Sequence, residues 1–444
     1  MSKTSGYTNL IKPKMWPFFY GWVILFVGAI GVLMTAPGQT IGVSAFTDHL
    51  LDALELSRDQ LSLSYMGGTM LSAVMLTKAG IFFDRFGAAR TAVFASVGLG
   101  IALLYLSQSD RISSSLGGGT YITMFCVFIG FILIRFFGQG VLTLASRTMV
   151  VKWFDARRGL AVGVLSMVTA FGFSIAPKIF DNLIYRFTWS GAWLIIAIFC
   201  GAVFPIVAIL FYKKDPEAYG ISPDGILKEN KNENKITRFP VYRDYNLSEA
   251  RRTFSLWVYS GLPALYGLVI TGLTLHIVSI FQENGLSKDV AIGVFQPLAF
   301  VAVVSTLICS IISDYVRLRY MAYAFCFFGI IGMYSIAQLD GDLYYAMLIL
   351  SFGICSGIHP LVITLFLPRF YGKKYLGAIT GQAMTIVVFA SALGPILFSQ
   401  SLSLTGSYSC AAYICGVLFL FFFVATIFSK NPQLGYQAMI ERQE

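Results

Sequence analysis

The chain has 444 residues, 57% of them hydrophobic and 12% charged, with a formal net charge of +10 and a mean hydropathy of +0.73. Soluble domains carry about a quarter charged residues, so this composition excludes an ordinary soluble globule and points to an integral membrane protein. The basic residues are scattered over short loops rather than gathered into one stripe, which excludes a nucleic-acid surface.

A helix needs about 20 apolar residues to cross the hydrocarbon core. The N-terminus, Met1 to Lys14, is polar and basic, and the apolar stretch behind it runs from Phe18 past Phe46. That stretch is too long for the core of a cleaved signal and reads as the first span. In chain order the predicted spans are 19–46, 60–82, 90–108, 120–150, 159–184, 190–212, 254–282, 290–313, 320–338, 343–367, 375–403 and 407–429. Residues 213–253 form the one long polar stretch, rich in Lys, Asn, Glu and Asp and carrying Pro216 and Pro223. The expected fold class is therefore an all-α membrane protein of twelve transmembrane helices in two six-helix halves. The expected domains are an N-terminal half, 1–212, a cytoplasmic linker, 213–253, and a C-terminal half, 254–444, with a short cytoplasmic tail.

Charge orients this layout. With the N-terminus in the cytoplasm, only Arg58, Arg111, Arg186 and Lys288 lie outside, and Lys78, Arg135, Arg147 and Lys178 lie within spans. Every other Lys and Arg falls on the cytoplasmic side, as the positive-inside rule requires. Both termini are then cytoplasmic, and anionic membrane lipids are expected partners of the inner loops. Short outer loops suit a bacterial inner membrane, with a eukaryotic plasma membrane as the alternative. Seven Cys lie in apolar segments without metal-ligand spacing and read as small core residues. No phosphate-binding Gly-rich loop appears either, so no cofactor is expected and ATP-driven transport is disfavoured.

The two halves echo each other. Lys152-Trp-Phe-Asp-Ala-Arg-Arg-Gly-Leu-Ala161 follows the fourth span, and Arg369-Phe-Tyr-Gly-Lys-Lys-Tyr-Leu-Gly-Ala378 follows the tenth. Asp84-Arg85 follows the second span, and Asp314 with Arg317 follows the eighth. Internal repeats with a ligand site near the midplane are a transporter feature.

Gly80, Asp84, Arg85, Gly87 and Arg90 form the pattern G-x-x-x-D-R-x-G-x-x-R, and Arg135 with Gly140 forms R-x-x-x-x-G. On these motifs the chain resembles the major facilitator superfamily along essentially its whole length. Tyr20-Gly21-Trp22, Trp153-Phe154 and Arg157 to Gly163 are similar to the monocarboxylate and oxalate:formate branch. A helix 5 antiporter motif is matched only at Gly172 and Pro177, which argues against drug:proton antiport. The resemblance implies a non-enzymatic secondary transporter or facilitator that moves a small organic solute by alternating access, working as a monomer. It also implies a cytoplasmic gating latch at Gly80, Asp84, Arg85, Gly87 and Arg90, echoed by Asp314 and Arg317, with Arg147 as a further gating candidate. An aspartate there can accept bonds from helix N-termini and basic side chains, whereas a merely topogenic loop explains the arginines but not the Asp and Gly spacing.

Charges inside the membrane are the sharpest clues, since each costs several kcal/mol without compensation (about 2.5–3.5 on insertion scales). Arg135 falls mid-span in the fourth helix, with Gln139 one turn on. It reads either as an anion-binding group facing a cavity or as an arginine tied to carbonyls of neighbouring helices. Arg147 lies 12 residues further, about 120° around a regular helix, and reads as gating or snorkelling. Lys78 reads as snorkelling, and Lys178 with Asp181 as a local i,i+3 pair. His276 and His359 read either as substrate- or proton-binding groups or as hydrogen-bonded packing residues. His49 lies in the outer loop.

No Asp or Glu falls clearly mid-membrane, since Asp181 and Glu283 sit at span ends. The midplane is thus basic, favouring an anionic or zwitterionic solute, with coupling to a proton or counter-anion left open. Gln39 and Thr40 beside the Pro37-Gly38 break, Tyr65, Tyr266, Gln296 and Gln382 complete a candidate substrate pocket, against the alternative of ordinary interhelical bonding. Two other functions fit the composition: an exporter of hydrophobic or cationic compounds, and a non-transporting membrane receptor or scaffold.

Overall fold

The computed structural model describes residues 12–225 and 239–434, and among them no strand forms. Nine helices are long and apolar enough to cross a membrane: Asp59–Ser107, Thr120–Trp153, Arg158–Phe211, Phe254–Glu283, Lys288–Ser313, Leu318–Ala337, Gly341–Tyr371, Leu376–Thr405 and Ser409–Phe428. A shorter apolar helix, Gly21–Leu33, precedes them.

Two of the nine are double. A straight helix of 49 residues would run about 75 Å, more than twice the hydrocarbon thickness. The first, Asp59–Ser107, is broken at Gly87, whose φ of 79° and ψ of 173° lie far from helical values. Glycine adopts that conformation without a Cβ clash. The second, Arg158–Phe211, is broken at Thr188, with φ 62° and ψ 170°. Nine helices, two of them doubled, plus Gly21–Leu33 make the twelve spans.

The first span departs from its expected course over 19–46. It is α-helical only over Gly21–Leu33, then turns through the 3-10 segment Ala36–Gly38 into the short helices Thr40–Ser44 and Thr47–Leu54. Pro37 has no amide to donate and disfavours helical geometry in the residue before it, so the helix ends there although the apolar run continues.

The fourth span is continuous but not uniform. Residues Arg135–Leu142 form a π-helical stretch between Thr120–Ile134 and Thr143–Trp153. The sixth span carries a shorter one at Phe199–Val203. Both stretches lie where backbones touch. A Cβ on Gly38 would lie 2.4 Å from the Ile134 carbonyl oxygen, and one on Gly100 would lie 2.6 Å from Gly201 Cα. Lipid supplies no hydrophobic drive between helices, so packing of this closeness is how they associate.

The chain divides into two compact units. The first holds 12–155, 168–225 and 380–382 of the described residues, and the second holds 156–167, 239–379 and 383–434. In the first, Phe46 stacks on Trp193 with centroids 3.9 Å apart, and Trp153 is fully buried. In the second, Tyr259 stacks on Phe366 at 4.6 Å. The retained part of the linker belongs to this packing. Asp244 accepts hydrogen bonds from the amides of Lys373 and Lys374 at 2.9 and 3.1 Å, so it holds the turn that ends Gly341–Tyr371. Large apolar side chains such as Phe125, Leu275 and Phe300 stand more than half exposed and supply the lipid-facing surface.

Candidate functional site

In the first unit the site is built around Arg135, which is 4% exposed. The break in the first span frees backbone groups from helical bonding, and Arg135 uses them. Its Nη1 donates to the Gly38 carbonyl at 3.3 Å and to Thr40 Oγ1 at 3.4 Å. The guanidinium sits over the Tyr65 ring, 5.2 Å from its centroid, a favourable cation–π position. Tyr65 in turn donates from its hydroxyl to Thr40 Oγ1 at 3.0 Å. Among the described residues the Arg135 Nε has no hydrogen-bond partner, and no carboxylate pairs with the guanidinium.

Around this core lies a polar fringe. Gln39 is half-buried and donates from Nε2 to Thr35 Oγ1 at 3.0 Å. Thr143 Oγ1 lies 3.3 Å from the Gly138 carbonyl and 3.4 Å from Thr35 Oγ1, with one hydrogen to donate between them. Gln139 is half-buried. Arg147, further along the same span, is partly exposed, and its Nε is buried without a hydrogen-bond partner. Gln382 is half-buried and joins this unit, next to Gly381, whose Cα packs on the Leu76 backbone.

The second unit holds a smaller polar cluster. Tyr266 shares a hydrogen bond with Ser356, and its ring lies 5.0 Å from that of His359. His276 stands apart from this pair. One of its nitrogens, Nε2, donates to the Pro395 carbonyl at 3.2 Å, which leaves Nδ1 to accept from the Tyr408 hydroxyl at 3.3 Å. A carbonyl can only accept, so Nε2 carries a hydrogen. The ring therefore ties three helices together. Gln296 is exposed.

Asp314 follows Lys288–Ser313 directly in the second unit. It accepts from the amides of Gly159 at 2.8 Å and Leu160 at 3.3 Å, which are unpaired donors at a helix start. The same carboxylate pairs with Arg369 at 3.3 Å, and Arg369 also donates to the Ser313 carbonyl at 2.8 Å. Burial pushes the Asp314 carboxyl above the ordinary carboxylate range, while the two amides and the Arg369 charge pull it back down. Gly159 makes this approach possible, because a Cβ there would lie 2.2 Å from Ser313 Oγ.

The corresponding residues of the first unit lie where the second span meets the break at Gly87. Asp84 is half-buried, Gly80 is buried, and Arg85 and Arg90 are exposed. Lys152 stands 5.4 Å over the Phe83 ring and pairs with Asp215 at 3.2 Å. Arg317 and Lys78 are exposed. Sequence reading missed Arg369, which it counted among the topogenic loop residues. The repeat held the signal, since Arg369 stands opposite Lys152.

A family profile described as Major Facilitator Superfamily matches residues 24–395. The chain belongs to the major facilitator superfamily. Other members confirm the span of the match. The hexuronate transporter of Bacillus subtilis is 22% identical over 95% of this chain and 97% of its own length. Monocarboxylate transporter 12 of Homo sapiens is 21% identical over 66% of this chain and 59% of its own. The solved proton:xylose symporter of the superfamily superposes with a TM-score of 0.65 over 94% of this chain and 99% of that one, at 13% identity, and shares the fold. Membership makes this chain a multi-pass membrane transporter of small organic solutes.

Proposed function

We propose that this superfamily member is a secondary carrier that moves a small organic anion across a bacterial inner membrane by alternating access, with both termini in the cytoplasm and the monomer as the working unit. Arg135 carries the reading. It is a cation buried within a span, held by a carbonyl, a hydroxyl and an aromatic face, with one donor unpartnered and no carboxylate paired with it among the described residues. An uncompensated charge there costs several kcal/mol, and an anionic solute supplies the missing complement. Gln39, Gln139 and Tyr65 surround it with neutral hydrogen-bonding groups suited to the rest of a polar solute. The relatives named for hexuronate and monocarboxylate handle carboxylates, and a carboxylate accepts the strong charge-assisted bonds an arginine offers.

Coupling follows from what the spans carry. The sequence places no Asp or Glu at mid-membrane, and His276 has both ring nitrogens engaged. Drive then comes from the solute's own gradient, from exchange against a second anion, or from a proton carried at His359. Asp314 with Arg369 and the half-buried Asp84 serve as the inner latches.

Uptake into proteoliposomes tests the reading, with D-glucuronate, lactate and glucose 6-phosphate as solutes. Replacing Arg135 by Gln removes charge-assisted bonds worth about 1.5–3 kcal/mol, so uptake should fall by about 10- to 100-fold. An Arg135→Gln protein that stays folded and transports at the wild-type rate would sink the proposal, as would uptake confined to hydrophobic amines.

A further inference from the structure

The inner half of the fourth span is packed on nearly every side. From Gly138 to Phe154 every residue is buried except Gln139 and Arg147. A lipid-facing helix surface shows whole rows of exposed apolar side chains, as around Phe125. Here the partial exposure is confined to Gln139 and Arg147. Arg147 is in no ion pair among the described residues, and its Nε is buried without a hydrogen-bond partner. An arginine that snorkels to the interface does so to reach polar partners. This one lies six residues inside Trp153, the end of the helix, and its Nε has found none.

The π-helical stretch decides which way Arg147 faces. On a regular helix the 12 steps from Arg135 leave the two side chains about 120° apart. A turn closed by i→i+5 bonds holds one residue more than an α turn, and Arg135–Leu142 is such a stretch. With one residue absorbed, the path amounts to about eleven α-helical steps, or about 1100°, which returns Arg147 to within about 20° of Arg135. Gln139 lies between them on the same strip. The rise separating the two arginines is about 16 Å, too long for one small solute to be held by both at once.

We infer that Arg147 is a second anion-binding station, on the cytoplasmic side of Arg135, for the carboxylate, sulfonate or phosphate group of the transported solute. It rests on the reading of Arg135 as the solute-binding residue. The first station holds the anion within the span. The second takes it up one strip further along the same helix, with the Gln139 amide between. The π stretch is then functional in a specific sense, since without it the two arginines would stand about 120° apart.

Arginine-selective modification by phenylglyoxal, read at the Arg147 peptide by mass spectrometry, tests this in nanodiscs. D-glucuronate, lactate and glucose 6-phosphate are the protecting anions, and wild type is compared with Arg135→Gln. At least one anion should lower Arg147 modification by about fivefold or more in both proteins, because the charge-assisted contact at Arg147 does not need Arg135. In proteoliposomes Arg147→Gln should lower uptake by about tenfold, while Arg147→Lys, which keeps the charge, retains most of it. Arg147 modified equally with and without every anion, or Arg147→Gln transporting at the wild-type rate, overturns the second station. If Arg135→Gln still loses uptake in that event, the carrier reading stands with one station. If instead Arg147 is protected while Arg135→Gln transports normally, the station stands and the role given to Arg135 falls.

Discussion

Arg135 and His276 show how much a residue's role depends on partners that are remote in the chain. Both were visible in the sequence as unusual groups within apolar spans, and both admitted a binding and a packing role. Arg135 meets the Gly38 carbonyl 97 positions away, and His276 meets Pro395 and Tyr408 at separations of 119 and 132. No local pattern encodes such pairings. Once they are known the two residues part company. Arg135 keeps an unused donor, whereas His276 has both ring nitrogens occupied. Replacing His276 by Phe should therefore remove two hydrogen bonds and lower stability by about 1–3 kcal/mol, seen as a lower midpoint in thermal unfolding. Solute KM and the pH profile of uptake should stay as in wild type. A shift of that profile in His276→Phe would instead make the imidazole a proton-coupling group.

At the scale of the element, hydropathy found the spans but not their interruptions. The first span was expected over 19–46 with a break at Pro37-Gly38, and its helix ends earlier, at Leu33, with Gly38 lying against the fourth span. The π stretch left no trace in composition, yet it changes the angular relation of every residue beyond it. The Asp314–Arg369 pair of the second unit was half legible. Asp314 stood out through the repeat, but Arg369 looked like any loop arginine until its bonds to Ser313 and Asp314 appeared. Gly159 gives this element a direct test. A side chain there would overlap Ser313 Oγ and the Ser310 carbonyl, at 2.2 and 2.3 Å from its Cβ. Gly159→Val should cost about 1–3 kcal/mol by overpacking and lower the unfolding midpoint, with a smaller effect for Gly159→Ala. Wild-type stability in Gly159→Val would show that the helix start does not need to lie so close.

For the molecule as a whole, the distribution of Lys and Arg makes a claim about orientation that can be checked in cells. An impermeant maleimide should label Arg111→Cys from outside and Lys374→Cys only after the membrane is opened, with the native Cys replaced to remove background. The reverse pattern would invert the topology and place Asp314 and Arg369 outside. The sequence by itself determined the number of spans, their grouping into two repeats and the sign of the midplane charge. These are properties of composition and period, and the bilayer reads them directly, since about 20 apolar residues cross it and charged residues do not rest in it uncompensated. Only the tertiary structure decided that the first helix ends at Leu33, that Asp314 holds a helix start, and that the fourth span carries a π-helical stretch between Arg135 and Arg147. Each of these depends on backbone hydrogen-bond register or on contacts between helices distant in sequence, and the order of residues along the chain records neither.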